Sequence, residues 1–449
     1  MKMKVSSIAL ALAAISTEFD IGWAEETLVL HTSGRRRQEA KLLGQKVGEE
    51  NGIALGHHKS DQHGLRLGSS WGDCKPNIGD GCLKDSDCCG EMECLGVVNW
   101  ECGNTPGTEG EYCNLVYACD EDLVCNDGVC RDYADLLKKG TKETCKEGSD
   151  PGTLKVMSYN LFLIRCPFDV DIGAYPCQPE SEQKKRIIPN LFNWMDQSDA
   201  DVVMFQEVWS LTNEIIDGMT KAGFCHYLSN AFEKNGSGLQ IFSKYPLEHG
   251  DFLDYYDFTG ENSESVLDPE VLADKGIMYV KVEKNGKSYH IADTHTLSNT
   301  LRENHDKRMG QYEKTRRFVE EKKPNINDMV LYGGDMNEDK YNHHVGDQFY
   351  QEMLEELEAS DPGVQGDQQY SYDTLKNPIP ASFQEKDYEE LLDYFLVSNK
   401  YEQPEQSSCE ILIPQWPLDC DGKFECMISD HFPVLCTFVV SEDVTSATF

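Results

Sequence analysis

The stretch DMVLYGGDMN, residues 328–337, combines a strand signal with a site signal. Its apolar run from Met329 to Tyr332 has the length and composition of a buried β-strand. Two glycines follow, and then Asp335 and Asn337. Because ligand sites of α/β folds lie in loops at strand ends, the stretch predicts a strand that ends at a functional site. Asx residues also close ordinary turns, so the stretch alone leaves both interpretations open.

Segments of the same kind recur from residue 154 onward, where short β-rich runs alternate with amphipathic helical patterns. The other predicted strands are LKVMSYNLFL (154–163), ADVVMFQEV (200–208), SGLQIFSK (237–244), GIMYVKVE (276–283), KSYHIADTHT (287–296), LLDYFLVS (391–398) and FPVLCTFVV (432–440). The predicted helices are ESEQKKRIIPNLFNWMDQ (180–197), NHDKRMGQYEKTRRFVEEKK (304–323) and GDQFYQEMLEELEA (346–359). This alternation predicts an α/β domain that spans residues 154–440.

The charge balance restricts the partners that the chain can have. The formal net charge is -38 at pH 7, so the chain as a whole has no basic footprint for nucleic acid. Phosphate-rich polymers would be repelled unless a metal or a local patch compensates. A zwitterionic headgroup would face no such repulsion. We therefore expect no nucleic-acid partner, although the charge does not exclude a nuclease.

The N-terminal segment predicts export. Residues 1–24 begin with two lysines, continue with a short apolar run and offer a small-residue cleavage point after Ala24, which is the pattern of a signal peptide. A buried N-terminal helix is the alternative. Residues 25–73 are polar and predict a pro-region or linker. No other stretch is long and apolar enough to span a bilayer.

Cysteine usage agrees with an oxidising, extracellular location. Of the eighteen cysteines, ten fall between Cys74 and Cys130. This window, 74–130, resembles a knottin-like or dickkopf-like cysteine-rich module, and so short a module needs its bridges for stability. Its partner, a protein or a glycan, is unknown. Residues 131–153 read as a polar linker.

Polar residues that carry chemistry cluster where the predicted strands end. Together they supply carboxylates, amides and histidines, which is the inventory for metal-assisted phosphoester hydrolysis. The set is Asn160, Glu207, His295, Asp335, Asn337, Asp393, Asp430 and His431.

The motifs MSYNL, QEV, GGDMN, LLDYFLVS and SDHFP occur in this order and resemble the endonuclease/exonuclease/phosphatase superfamily. The resemblance covers Leu154 to Phe438 and is strongest to the secreted bacterial-type neutral sphingomyelinases. It implies a four-layer αββα sandwich of the DNase-I-like type, preceded here by the small disulfide-rich module. It also implies a transient membrane surface as partner, and we expect a monomer.

The resemblance implies a divalent-metal site. Glu207 matches the main metal ligand, with Asn160 beside it. Asp335, Asn337 and Asp430 are further candidate ligands. Oxygen ligands of this kind suit Mg²⁺, and Mn²⁺ or Co²⁺ could replace it.

The same resemblance assigns the acid–base chemistry. His431 matches the general base that activates water, and Asp393 matches the carboxylate that orients it. Asp335 and Asn337 would position the water and the phosphate. His295 would stabilise the pentacoordinate state or protonate the leaving alkoxide.

Further residues are open to two interpretations. Tyr372 and Asp373 match an aromatic–acid pair that could line a headgroup pocket, where an aromatic ring could meet choline; an ordinary loop is the alternative. Lys275 could face the phosphate, and a solvated lysine is the preferred expectation. The aromatic membrane hairpin of the bacterial enzymes is shortened here, and Cys420 and Cys426 could close it by a disulfide.

Three functions remain to be separated. The preferred prediction is a secreted Mg²⁺-dependent phosphodiesterase that cleaves sphingomyelin, or a related phospholipid, to ceramide and phosphocholine. A secreted endonuclease of the deoxyribonuclease type is the first alternative. A catalytically inactive binding protein or toxin on the same scaffold is the second.

Overall fold

The computed structural model describes residues 137–142, 144–164, 177–231, 236–255, 275–298, 302–341, 348–414 and 427–440, and the backbone of four short strands between residues 93 and 132. The predicted signal peptide, the polar segment 25–73, the side chains of the cysteine-rich module and the segment from Cys420 to Cys426 lie outside the described residues. Among the described residues, no helix combines the length and the apolar composition needed to cross a membrane.

The described elements are as follows. The strands are β1 (Glu93–Leu95), β2 (Glu101–Gly103), β3 (Leu123–Asn126), β4 (Val129–Asp132), β5 (Lys138–Thr141), β6 (Thr153–Asn160), β7 (Val202–Gln206), β8 (His226–Ala231), β9 (Gly236–Ser243), β10 (Leu247–Asp254), β11 (Gly276–Lys284), β12 (Lys287–His295), β13 (Met329–Asp335), β14 (Ala359–Ser360), β15 (Val364–Gln365), β16 (Tyr372–Asp373), β17 (Glu389–Glu390), β18 (Asp393–Ser398), β19 (Gln406–Ile411) and β20 (Val434–Val439). The helices are α1 (Glu180–Met195), α2 (Thr212–Lys221), α3 (Arg302–Glu321), α4 (Phe349–Glu356) and α5 (Pro378–Ala381).

Two large sheets form the centre of the domain. One has eight strands in the order β15-β19-β20-β6-β7-β9-β8-β5, and the other has six in the order β10-β11-β12-β13-β18-β14. Strands β16 and β17 pair as a separate two-stranded sheet, as do β1 with β2 and β3 with β4.

Alternate residues of the central strands face opposite layers, as the two-residue period of a strand requires. Val156 of β6 and Met204 of β7 belong to the core that joins the two sheets. Tyr159 and Phe205, on the same two strands, instead pack in a second core. That second core also contains apolar residues of α1 and α2. These two helices therefore cover the outer face of the eight-stranded sheet.

Helix α3 covers the outer face of the other sheet. It packs against β11 and β12, and α4 packs against α3 and β14. The order of layers is thus helix, sheet, sheet, helix, which confirms the predicted αββα sandwich. Each of the strands and helices predicted in residues 154–440 has its counterpart in the structure.

The domain begins earlier than the predicted boundary at residue 154. Strand β5, inside the predicted linker 131–153, pairs with β8 as an edge strand of the eight-stranded sheet. A disulfide joins Cys145 to Cys225 in the same region. The prediction was wrong because an exposed edge strand keeps a polar sequence, here KKGT, and lysine is typical of such edges.

All five cysteines whose side chains are described form disulfides: Cys145, Cys177, Cys225, Cys409 and Cys436. Cys409 and Cys436 are bonded to each other and lie directly opposite on β19 and β20. A chain in which every described cysteine is disulfide-bonded is typical of an oxidising compartment.

Candidate active site

Three neighbouring strands of the six-stranded sheet place their polar residues in one row. The parallel strands β12 and β13 end together at His295 and Asp335, which lie opposite each other. The antiparallel strand β18 begins at the same edge, and its first residue, Asp393, lies opposite Asp335. Residues opposite each other in a sheet point to the same face. The row His295–Asp335–Asp393 therefore forms one wall of a site.

The eight-stranded sheet supplies the facing wall. Asn160 ends β6 and lies opposite Gln206 at the end of β7, so Glu207 follows at the same edge. The Asn160 Nδ2 atom donates a hydrogen bond of 3.0 Å to Asp335 Oδ2 and so joins the two walls. Ser429 Oγ donates to the Asn160 carbonyl at 2.6 Å, which places the segment before β20 at this edge as well.

The turns after these strands have unusual backbone conformations. Glu207 and Asn337 are non-glycine residues with φ of 58° and 49°. Such left-handed conformations are uncommon and are found preferentially at functional sites. Gly334 has φ of 125°, and a Cβ at this position would lie 1.9 Å from the Thr294 carbonyl oxygen. The second glycine of GGDMN is therefore required for β13 to approach β12 before Asp335.

His431 and Asp393 form the closest ion pair of the site. His431 Nδ1 lies 2.8 Å from Asp393 Oδ2. Because a carboxylate accepts hydrogen bonds, Nδ1 donates here, and Nε2 faces Asp335 Oδ2 at 3.8 Å. Burial of the His431 ring disfavours its charged form, yet Asp393 and Asp335 hold its pKa well above the ordinary value. The geometry is that of an oriented general base directed into a cluster of carboxylates.

Three carboxylates of this cluster have raised pKa values. Burial, with Asp430 adding to it, raises the pKa of Glu207 to about 8. Burial and then Asp393 raise the pKa of Asp335 to about 6. Burial also raises the pKa of Asp430. These buried acids resist ionisation when they stand close together. A divalent cation among them would stabilise their ionised forms.

The donor set fits such a cation. Glu207 Oε2 and Asp393 Oδ1 are buried and have no hydrogen-bond partner among the described residues. Ligand-type atoms of Asp335, Asp393 and His431 all lie within 4.8 Å of one another. Most candidate ligand atoms of the site are carboxylate and amide oxygens, which are the ligands that Mg²⁺ prefers.

His295 lies between the two walls. Its Nε2 atom is 3.8 Å from Glu207 Oε1 and 3.6 Å from Asp335 Oδ2. Burial, with Lys275 and His431 adding to it, holds the pKa of His295 well below the ordinary value. The neutral ring can accept a hydrogen bond at Nε2 from Lys275 Nζ, which lies 3.1 Å away.

The expectation that Lys275 is solvated was wrong. Its residue is 3% exposed, and Nζ also donates to the Thr296 carbonyl at 2.8 Å. The position of its Nζ beside His295 agrees instead with the alternative interpretation, in which Lys275 faces the phosphate. The sequence contains a signal for this position. Asn285-Gly286 is a hairpin turn, and extending the β11–β12 register two residues beyond Ile277 and Thr294 puts Lys275 opposite Thr296.

The remaining predicted residues have distinct positions. The Asn337 backbone N–H donates to Asp335 Oδ1 at 3.1 Å, and its side chain donates to the Thr296 carbonyl at 3.1 Å. Asp430 accepts from Ser429 Oγ at 3.2 Å. The Tyr372 ring lies edge-on to the His431 ring, with centroids 5.2 Å apart.

Asp373 is directed elsewhere. Its Oδ1 accepts hydrogen bonds from the backbone of Leu375 and Lys376, and its Oδ2 accepts from Gln368. Oδ1 thus stabilises the following turn, and Oδ2 holds the segment that precedes Asp373. The structure brings together the other nine predicted site residues, and Asp373 is the one whose carboxylate serves its own loop.

The sequence profile of the Endonuclease/Exonuclease/phosphatase family matches residues 157–431. This range contains the site residues described above, and the chain belongs to this family. The resemblance inferred from the motifs is confirmed.

Several individual relatives are named sphingomyelinases. The chain is 30% identical to Sphingomyelinase C of Listeria ivanovii over 326 residues, covering 66% of this chain and 89% of the relative. It is 28% identical to Sphingomyelinase C of Leptospira interrogans over 305 residues, covering 63% of this chain but only 51% of the relative. The chain thus spans about half the length of the Leptospira relatives. The crystal structure of Sphingomyelinase C from Streptomyces griseocarneus superposes with a TM-score of 0.49 at 23% identity, covering 64% of this chain and 99% of that one.

Proposed function

We propose that this chain is a secreted, metal-dependent phosphodiesterase that hydrolyses sphingomyelin, or a closely related phospholipid, to ceramide and phosphocholine. The observation that carries the proposal is the Asp393–His431 pair, whose 2.8 Å hydrogen bond directs the other ring nitrogen toward Asp335. The sphingomyelinase relatives support the substrate class. The net charge of -38 favours a zwitterionic headgroup over a polyanion.

Glu207, Asn160 and Asp335 would hold the metal, with Asn337 and Asp430 as further oxygen donors. Mg²⁺ is the proposed ion, and Mn²⁺ or Co²⁺ would substitute. When bound, the ion supplies charge neutralisation for the phosphoryl oxygens.

The protein side chains perform the proton transfers. His431 Nε2 accepts a proton from the attacking water, and the water oxygen forms its bond to phosphorus. Asp393 stabilises the imidazolium that results. The bond from phosphorus to the ceramide oxygen breaks. The leaving alkoxide takes up a proton that His295 relays from solvent, and the His431 imidazolium returns its proton to solvent. Lys275, whose Nζ is 3.1 Å from His295 Nε2, contributes positive charge beside that ring.

Export and partners are part of the proposal. The signal pattern of residues 1–24 and the bonded state of the described cysteines support secretion. The substrate implies a transient contact with a membrane surface. We further propose that the enzyme is monomeric and that residues 74–130 bind a protein or a glycan.

The test compares two substrates and two histidines. Full-length protein is incubated with sphingomyelin vesicles or with supercoiled plasmid, each with Mg²⁺ or with chelator. We expect phosphocholine release only with Mg²⁺, its loss in His431→Ala, and its retention in His249→Asn. His249 is exposed and has a left-handed backbone that asparagine tolerates.

The outcomes separate the alternatives. Plasmid nicking without phosphocholine release would establish the deoxyribonuclease type and end the lipid proposal. Inactivity of folded protein on both substrates would favour a binding protein on this scaffold.

A further inference from the structure

Three residues from three chain segments lie side by side next to the reacting centre. Tyr372 forms an isolated antiparallel bridge with His431 on one side. On its other side Tyr372 lies directly opposite Glu390 in the pairing of β16 with β17. Partners in a sheet direct their side chains to the same face. The order across the strands is therefore His431, then Tyr372, then Glu390.

The spacing of this row matches a headgroup. Neighbouring strands lie about 4.8 Å apart, and the rings of Tyr372 and His431 are 5.2 Å apart. In phosphocholine, two methylene groups separate the ester oxygen from the ammonium nitrogen, a span of about one strand spacing. A phosphate held near His431 thus places its ammonium group at Tyr372, with Glu390 one strand further on.

The three residues reach the surface to a similar extent. Tyr372 and Glu390 are each 7% exposed, and His431 is 6% exposed. All three residues are therefore nearly buried, and each keeps a small exposed fraction. Gln384 Nε2 donates to the Tyr372 hydroxyl at 2.8 Å and fixes the ring in place.

The electrostatic surroundings of the row favour a cation. Burial, with Asp339 adding to it, raises the pKa of Glu390 to about 7. Burial and then the charge of Asp430 hold the pKa of Tyr372 well above the ordinary value, and Glu390 acts in the same direction. A ligand cation beside this group would stabilise the charged form of Glu390.

The alternation of the strands identifies which acid is involved. Consecutive residues of a strand point to opposite faces. Tyr372 and Glu390 share one face, and Asp373 and Glu389 share the other. Asp373 is also engaged by the amides of its own turn. The acid that accompanies Tyr372 is thus distant in sequence rather than adjacent.

We propose that Tyr372 and Glu390 form a subsite for the quaternary ammonium group of phosphocholine, with the ring face and the carboxylate as its two attractive elements. This proposal rests on the proposed function for its biological substrate. A quaternary ammonium group has no N–H to donate, so an aromatic face with a nearby counter-charge suits it better than hydrogen-bond acceptors alone. The subsite adds headgroup selection to the phosphate-binding site.

Binding is measured by calorimetry on full-length protein with Mg²⁺, using phosphocholine and inorganic phosphate as probes. The ratio of the two dissociation constants isolates the ammonium subsite because both probes share the phosphate. We expect wild-type protein to prefer phosphocholine at least about tenfold, and Glu390→Gln to remove most of that preference. Glu389→Gln is the matched control, since it removes the same charge from the opposite face of the same strand.

Tyrosine variants test the ring. Tyr372→Phe keeps the ring and should retain the preference, whereas Tyr372→Leu should lose it. Equal preference in wild type and Glu390→Gln, or no preference in wild type, would overturn the proposal. Thermal unfolding of each variant shows whether the fold is kept, and Glu390→Gln alone, with nearly the same shape, suffices for the test.

Kinetics distinguish this proposal from the function on which it rests. We expect Glu390→Gln to lower kcat/KM for sphingomyelin about tenfold more than it lowers kcat/KM for bis(p-nitrophenyl) phosphate, which has no ammonium group. Equal losses on both substrates would show that Glu390 acts on the catalytic centre, and the subsite would be refuted. A wild-type protein that prefers phosphocholine but does not cleave sphingomyelin would end the proposed function and leave the subsite standing.

Discussion

Asp393→Asn removes the charge that orients the general base while it keeps the shape of the side chain. The Nδ1–Oδ2 distance of 2.8 Å is that of a charge-assisted hydrogen bond. Such bonds contribute about 1.5–3 kcal/mol. At about 1.4 kcal/mol for each factor of ten in rate, their loss lowers kcat about 10- to 140-fold.

The pH profile gives an independent readout of the same substitution. His431 must be neutral at Nε2 to accept a proton, so activity rises as the pH passes upward through its pKa. Asp393 helps to hold that pKa above the ordinary value. Without the charge of Asp393, the pKa of His431 falls. The acidic limb of the profile then moves to lower pH, and the plateau value of kcat decreases.

The assay is sphingomyelin hydrolysis at saturating Mg²⁺ across the pH range, with thermal unfolding as a check on the fold. A double variant adds a second test. If the two residues act as a unit, Asp393→Asn causes no further loss in a His431→Ala background. A kcat within twofold of wild type, an acidic limb that moves to higher pH, or losses that multiply would refute this role of Asp393.

The other predictions concern the metal, Lys275 and the disulfide. With a chelator present, the free energy of unfolding should fall as the pH rises from about 4.5 to 8. In this range Glu207 keeps its proton in the folded state, whereas the unfolded chain releases it. The loss is at most about 5 kcal/mol. Glu207→Gln should flatten this fall and weaken the Mg²⁺ dependence of activity, and an unchanged slope in thermal unfolding would argue against the assignment. Lys275→Met should lower kcat about 10- to 100-fold while sparing the melting temperature, whereas a stability loss with normal kcat would show a structural role. Replacing Cys145 and Cys225 by serine should lower the unfolding free energy by about 2–5 kcal/mol, since the bridge closes a separation of 80 residues. We expect kcat to stay unchanged. A drop in kcat at temperatures below the melting transition would contradict a purely stabilising role of this disulfide.

The parts of the fold that could be predicted from the sequence are those buried on both faces. Strands β6, β7 and β13 lie between two apolar layers and read as nearly continuous apolar runs. Strands β5 and β19 are partly exposed and carry polar sequences, so they were not recognised. Helix α2 was missed because it follows Leu211, a left-handed residue that gives no capping signal.

The residues of the site also fall into two groups, those predicted from local motifs and those brought together by distant segments. Short motifs at strand ends identified His431, Asp393, Asp335 and Glu207, because the chemistry requires those residue types there. Contacts between distant segments escaped this kind of reading. The pairing of Tyr372 with Glu390 depends on a register that sequence neighbours do not define, and adjacency favoured Asp373 instead.

The measurement that tests the central claim most directly is hydrolysis of sphingomyelin in heavy-oxygen water with Mg²⁺, followed by mass analysis of both products. Attack of His431-activated water on phosphorus predicts phosphocholine that carries one heavy oxygen and ceramide that carries none. His431→Ala should yield neither product above background. Release of choline with ceramide phosphate, heavy oxygen in ceramide, or undiminished turnover in His431→Ala would contradict the account.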